Sequence, residues 1–411
     1  MSGSMIKTKV GRGVGMMWRE ALGLSKISAG FIAVLVGYSS SAVIILQAAD
    51  AVGATSAQMS SWLWALGVGM GLTSIGLSLY YKNPVLTAWS TPGAALMVSS
   101  LAGLSIHEAV GAFLVSSLLI TLCGLAGWMD KLIRIMPPSV AAAMLAGVLL
   151  QFGLGLFQAM QTQLSLILLM LLVFVVLKPW APRYIMLLTL VAGIGMSYQL
   201  DLLQLDKLEL QFAAPVWIAP TFSIASVVGV ALPLFVVTMA SQNMPGVAAL
   251  HGHGYRPPIS PLITVTGLMG VLFAPFGGFA FNLSAITAAI CMGKEADPNP
   301  STRYWVAVWG GVFYFITGLL GATVVGLFAA FPKELVLAIA GLALLGTIGN
   351  SLTAALADND EREVAVITFL VTASGVSILG IGSAFWGLLL GFLMHYWHKH
   401  RALTTAKQAK A

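Results

Sequence analysis

Charge is what this chain has least of. Lys, Arg, Asp and Glu make up 8% of its 411 residues, against roughly a quarter in soluble domains. That shortage excludes an ordinary water-soluble fold, and a hydrophobic share of 58% shows what fills its place. Cysteine is almost absent: Cys123 and Cys291 are the whole supply, both inside apolar runs, with no spacing for a metal knuckle or a disulfide framework. The six histidines, His107, His251, His253, His395, His398 and His400, fall at loops and run ends, and His251-Gly252-His253 reads as a solvated loop rather than a metal pair. No spaced His/Glu cluster, nucleophile elbow or phosphate loop occurs, so no cofactor or metal is called for. An enzyme is disfavoured, because the loops are too short to hold a catalytic domain and the apolar runs lack a buried acid and base.

What is present is a succession of apolar runs, each long enough for a bilayer. They fall at 27–49, 59–80, 84–101, 107–128, 137–156, 163–178, 181–200, 223–249, 260–276, 277–293, 303–330, 333–356, 362–379 and 382–398. The first lacks a small-residue cleavage site and reads as a retained helix. Fourteen spans with an even parity put both termini on one side. With that side cytoplasmic, the inside segments hold Lys7, Lys9, Arg12, Arg19, Lys26, Lys82, Lys131, Arg134, Lys178, Arg183, Arg256, Lys294, Arg303, Arg362, Lys399, Arg401, Lys407 and Lys410. The outside loops hold only Lys207 and Lys333. This asymmetry is the positive-inside signature of a bacterial inner-membrane protein. It also explains the net charge of +6 without nucleic acid. Twelve spans would satisfy parity as well.

All the acids fall in loops or at span ends, with Asp50, Glu108, Asp201, Asp206, Glu209 and Glu334 outside. No ionised side chain is predicted at mid-membrane, where one costs about 2.5 kcal/mol or more.

Two spans look broken. In the third, Ser90-Thr91-Pro92-Gly93 interrupts the apolar run after a β-prone stretch, Val85 to Trp89. Thr91 is suited to cap and Pro92 to the first turn of a half-helix. In the tenth, Gly277-Gly278 loosens the start, Asn282 or Ser284 can cap, and a short apolar helix follows. An offset of 194 carries Ser90, Ala94 and Ala95 onto Ser284, Ala288 and Ala289, and Pro138, Ala146 and Gly147 onto Pro332, Ala340 and Gly341. Halves of seven spans related this way must be inverted, as in secondary transporters. Residues 27–200 and 223–398 are then the two repeats, between tails at 1–26 and 399–411 and an outside loop at 201–222. Both half-helices begin near the midplane, with free N–H groups and positive dipole ends that suit an anion.

The polar residues of spans 1 and 8 point to the same place. Tyr38 and Ser40 lie in the first, and Ser241-Gln242-Asn243 precede Pro245 in the second. Trp89 flanks the first break, and Phe276, Phe279 and Phe281 surround the second. The candidate substrate site is therefore Tyr38, Ser40, Trp89, Ser90, Thr91, Ser241, Gln242, Asn243, Phe281, Asn282 and Ser284. Aromatic faces beside amide donors suit a small aromatic carboxylate.

The strings GYSSSAVI, VLTAWSTPGAAL, AAAMLAGVLL, ALPLFVVTMASQNMPG, SAITAAIC and FLVTASGVSILGIGSAFWGLL resemble the bacterial benzoate–proton symporters, from Ile27 to His398. That family is similar to the uracil and sulfate permeases. The resemblance implies an all-α, fourteen-segment fold of two inverted repeats. A core of spans 1–4 and 8–11 would move against a gate of spans 5–7 and 12–14, often as a homodimer. The half-helix starts of the family correspond to Trp89-Ser90-Thr91 and Phe281-Asn282-Leu283. Uracil permeases place glutamates in spans 8 and 10, where this chain has Ser241-Gln242 and Asn282. The change suits an anionic substrate and leaves the proton to the substrate itself or to Asp50, Glu108 or His107. The expected function is uptake of benzoate or a similar aromatic carboxylate with a proton. The rivals are a passive facilitator or exchanger of small organic anions and a non-transporting sensor.

Overall fold

The computed structural model describes residues 21–128, 137–182, 184–204 and 209–408. Of the charges counted above, Lys7, Lys9, Arg12, Arg19, Lys131, Arg134, Arg183, Asp206, Lys207 and Lys410 lie outside the described residues. The protein is a helical, multi-pass membrane protein. Among the described residues, seven helices are long and apolar enough to cross a bilayer, and an eighth is added if one bent pair counts as a single span.

In chain order the helices are α1 (Leu24–Ala51), α2 (Ser56–Tyr81), α3 (Thr91–Ser100), α4 (Ile106–Leu125), α5 (Pro138–Gln158), α6 (Leu164–Leu177) and α7 (Ile185–Gln199). They continue with α8 (Ile224–Gly252), α9 (Ile259–Phe273), α10 (Ile286–Met292), α11 (Tyr304–Leu319), α12 (Gly321–Ala329), α13 (Lys333–Ala355), α14 (Arg362–Ala373) and α15 (Ser383–Gln408). Two short strands, β1 (Thr87–Ala88) and β2 (Asn282–Leu283), precede α3 and α10.

Two expected spans are not continuous helices. The run at 303–330 bends by 65° between α11 and α12. Gly318 and Gly321 flank the bend, and each lies against the backbone of α2, where a Cβ would meet Gly67 Cα at 3.0 Å and Ser60 O at 2.9 Å. Closely spaced glycines are a recognised place for a helix to break. The run at 362–379 is helical only to Ala373. Gly375, Leu379 and Gly380 then take positive φ around an isolated Ile378–Ile381 bridge.

Helix α8 runs through two π-helical stretches, Val227–Ala231 and Met239–Asn243. Each lies in the turn before a proline, Pro233 or Pro245. A proline removes one N–H and crowds the carbonyl four residues back, and a widened turn relieves both.

Close helix crossings use small residues, as lipid-embedded packing requires. Gly67 and Gly71 of α2 meet Gly318 and Gly311 of α11 backbone to backbone. On α9, Gly267 meets the backbone of Thr121 of α4, and Gly270 makes room for the Ser117 side chain. On the other side of the molecule, Gly341 of α13 sits on Phe152 and Leu156 of α5.

At one end of the bundle a polar cluster ties α1 to the loop after α10. Lys26 Nζ lies 3.0 Å from Asp297 Oδ2, with both residues largely buried. Arg303 donates to the Met292 and Asp297 carbonyls at 2.8 and 2.7 Å, closing the C-terminal end of α10. Burial alone would push the Asp297 carboxyl up, but the Thr302 hydroxyl, the Asn299 N–H and Lys26 outweigh it and hold the group below its ordinary range. A depressed carboxyl contributes stability that is present above its unfolded pKa and is lost as pH falls through the folded one. Asp297→Asn is therefore expected to lower stability at pH 7 by about 3 kcal/mol, the scale for stripping one partner from a buried pair. Thermal unfolding in detergent should show the difference from wild type shrinking as the pH is taken below about 3.9.

Candidate functional site

The site is built on the two interrupted segments. β1 and β2 pair antiparallel, Thr87 opposite Leu283 and Ala88 opposite Asn282. Backbone that leaves the helical state inside a membrane must have every N–H and C=O satisfied by protein. Neighbouring helices supply what a two-residue ladder cannot. On α2, Ser74 Oγ accepts from Thr87 N at 3.0 Å, and Ser78 Oγ accepts from Val85 N at 3.1 Å and donates to Val85 O at 2.9 Å. The Thr87 hydroxyl joins those of Thr73 and Ser74. On α8, Asn243 Oδ1 accepts from Leu283 N at 2.9 Å. Ser284 N completes the crossing by donating to Leu86 O at 3.0 Å.

Helix α3 begins one residue earlier than the sequence suggests. Ser90, not Thr91, is the N-cap, and its Oγ accepts from Gly93 N at 3.0 Å with Pro92 in the first turn. Thr91 is the first helical residue, which leaves its own side chain free to face outward. Helix α10 starts at Ile286, and neither Asn282 nor Ser284 caps it. Asn282 lies too far upstream, in β2, and its Nδ2 donates to Ala280 O. Ser284 exchanges a hydrogen bond with the Thr287 hydroxyl instead.

A cavity of about 490 Å³ opens where the two segments meet. On one side it is lined by Gly37, Ser40 and Ser41 of α1, Trp89 and Thr91, Ser241 and Gln242 of α8, Ser284, Thr287 and Tyr314. The opposite wall is Pro138, Ala141, Ala142 and Leu145 of α5 with Thr347, Asn350, Ser351 and Ala354 of α13. No Asp, Glu, Lys, Arg or His is among the described lining residues. The Trp89 indole N–H donates to Ser41 Oγ at 2.9 Å, and that hydroxyl donates to Gly37 O at 2.7 Å.

The structure thus brings together Ser40, Trp89, Thr91, Ser241, Gln242 and Ser284 of the expected set. Tyr38 stands behind them, edge-on to Trp89 with ring centroids 4.9 Å apart. Ser90, Asn243 and Asn282 are fully buried and serve the backbone of the breaks. Phe281 packs on α2 at Gly69. Phe276 and Phe279 pack edge-to-face with Trp64 and Trp62, away from the cavity. Asp50, His107 and Glu108 do not line the cavity either. Asp50 is exposed at the end of α1, His107 Nδ1 lies 2.8 Å from Ala219 O, and Glu108 closes a capping box with Ser105 at the start of α4. Tyr314 and Thr287 escape sequence reasoning because an isolated Tyr or Thr in an apolar run reads as packing. The Thr347/Asn350/Ser351 face of α13 carried a signal, polar residues at helical spacing, that could have been read.

Comparison with known proteins adds independent findings. A family model described as "Benzoate membrane transport protein" matches residues 20–397. The chain is 51% identical over 364 residues to "Inner membrane protein YdcO" of Escherichia coli (strain K12), covering 88% of this chain and 93% of that one. It is 41% identical over 373 residues to "Benzoate membrane transport protein" of Acinetobacter baylyi, covering 91% and 95%. Among solved structures, the transmembrane domain of a cyanobacterial bicarbonate transporter, BicA, aligns with TM-score 0.56 and 16% identity over 91% of this chain and 96% of that one. SLC26A9 aligns with TM-score 0.61 and 13% identity over 97% and 69%. At those identities the likeness is one of fold.

The adjacent residues Gln242 and Asn243 should separate cleanly in a stability measurement. Asn243→Ala strips the Leu283 N–H of its acceptor, a loss of about 1–3 kcal/mol, whereas Gln242→Ala, facing the cavity, should leave thermal unfolding in detergent within about 0.5 kcal/mol of wild type. Equal losses in the two variants would contradict this placement.

Proposed function

Because the chain belongs to the benzoate membrane transport protein family, we propose that this membrane transporter imports benzoate or a similar aromatic carboxylate together with one proton. The observation that carries the reading is the cavity itself: aromatic and hydroxyl-lined, set at the start of a broken helix, with no carboxylate to repel an anion. In this reading the carboxylate lies at Thr91 and the Gln242 amide, at the positive end of α3. The ring lies against Trp89 and Tyr314.

The proton travels on the substrate. A benzoic acid titrates near other carboxylic acids, about 4.3 for Glu, and is mostly anionic at neutral pH. Moving that charge inward against an inside-negative potential costs about 2.3 kcal/mol per 100 mV. One proton removes the cost and makes uptake electroneutral. Since no lining residue among those described titrates near neutrality, the substrate carboxylate is the natural carrier, in place of Asp50, His107 or Glu108.

The fold assignment is fourteen segments in two inverted repeats. Two features support it. Ala88 pairs with Asn282, its own counterpart under the offset of 194, as a two-fold axis through that pair requires. The α2–α11 and α4–α9 crossings, both closed by glycine, are the same contact exchanged between halves. In this reading the core of spans 1–4 and 8–11 moves against the gate of spans 5–7 and 12–14, and the cavity walls formed by α5 and α13 belong to the gate. With the termini in the cytoplasm of a bacterial inner membrane, the lining parts of α5 and α13 are their cytoplasmic ends, so this state faces inward. The same reading includes a homodimer, as the family resemblance implies.

The lack of Asp, Glu, Lys, Arg or His among the described lining residues equally favours a second reading, a passive facilitator or exchanger of small organic anions. Proteoliposomes decide between them. Symport predicts that an inward proton gradient drives benzoate accumulation several-fold, unaffected by clamping the membrane potential. Equal accumulation with the pH gradient collapsed, together with undiminished counterflow, would leave the exchanger.

A further inference from the structure

We propose that Gly37 and Tyr314 set the substrate specificity of the cavity by limiting the size of the group opposite the carboxylate on the aromatic ring. This rests on the reading above, in which the ring lies against Trp89 and Tyr314.

Two glycines of α1 differ in what they touch. A Cβ on Gly30 would strike backbone, with Gly310 N and Val306 O both at 2.8 Å. Gly30 is therefore demanded by helix packing. A Cβ on Gly37 would meet no neighbouring backbone; its nearest atoms are Tyr314 Oη at 3.2 Å and Thr287 Cγ2 at 3.7 Å. All three residues line the cavity. Glycine in a helix interior weakens the helix relative to alanine, and no neighbouring backbone demands it at 37; the tight contact a methyl would make there is with the Tyr314 hydroxyl alone. What the missing methyl leaves is room in the cavity, bounded by a tyrosine hydroxyl.

That room has fixed walls. Tyr314 is 2% exposed, and its ring centroid lies 6.4 Å from that of Trp89 and 6.2 Å from that of Tyr38. Trp89 is tied through Ser41 to the carbonyl of Gly37 itself. Trp89, which contacts the ring, and Gly37, which leaves the gap, are thus joined through one turn of α1, so the Trp89 wall does not shift independently of that helix. The ligand class is a single-ring carboxylate bearing hydrogen or a small group at the 4-position.

The test compares benzoate with 4-methylbenzoate by calorimetric binding to the purified full-length protein. Gly37→Ala is expected to weaken both and to weaken 4-methylbenzoate about ten-fold more than benzoate, the scale on which an apolar pocket senses one methyl group. Adding Tyr314→Phe to Gly37→Ala removes the opposing hydroxyl and should return the ratio toward the wild-type value, a rescue that general damage to α1 would not show. If Gly37→Ala proves too unstable to purify, Tyr314→Phe alone should raise the affinity for 4-methylbenzoate relative to benzoate. An unchanged ratio in either single variant overturns the proposal while leaving the benzoate reading intact. Absence of benzoate binding to wild type overturns both.

Discussion

The structure depends on four residues of extended chain. Thr87 and Ala88 lie antiparallel to Leu283 and Asn282 within a membrane protein whose other segments are helical. An open strand pair in lipid would leave polar backbone unpaired at several kcal/mol per group. Here the outer edges are closed by side chains, Ser74 and Ser78 on one flank and Asn243 on the other. Those hydroxyls and that amide make a break tolerable, and the break brings helix starts into the interior. The cavity is a consequence of that arrangement.

The same constraint divides the polar residues into two kinds. Some satisfy the unwound chain and cannot reach a ligand, as with Ser90, Asn243 and Asn282. Others, such as Thr91 and Gln242, lie one residue away and face the cavity. Successive residues on a helix are turned by about 100°, so neighbours routinely take opposite duties. The π-helical turn at Met239–Asn243 accentuates this, because it presents Ser241 and Gln242 to the cavity while Asn243 reaches β2.

Much of the fold was legible in the sequence. The breaks announced themselves through Ser90-Thr91-Pro92-Gly93 and Gly277-Gly278, residues an apolar span does not carry without cause. The bend between α11 and α12 was not legible, since Gly318 and Gly321 resemble the many packing glycines of the chain and only their contact with α2 distinguishes them. Half of the candidate site was legible for a related reason. Polar clusters mark a region but not a direction, so Gln242 and Asn243 could not be separated. Tyr314 is brought to the site by the packing of α11 on α1 and α2, and no local pattern around it foretells that. The acids and histidine considered for proton coupling were chosen for being titratable near span ends, and the fold shows Glu108 and His107 already employed in a helix cap and a loop tether.

The account stands on one claim, that the crossing of the two broken segments is where a carboxylate is held. The most direct measurement is a cryo-electron microscopy structure of the protein with bound benzoate. The account predicts ligand density in the cavity, the carboxylate within hydrogen-bonding distance of Thr91 and Gln242 and the ring against Trp89 and Tyr314. Density at a different place in the molecule, with this cavity empty at saturating benzoate, would contradict it.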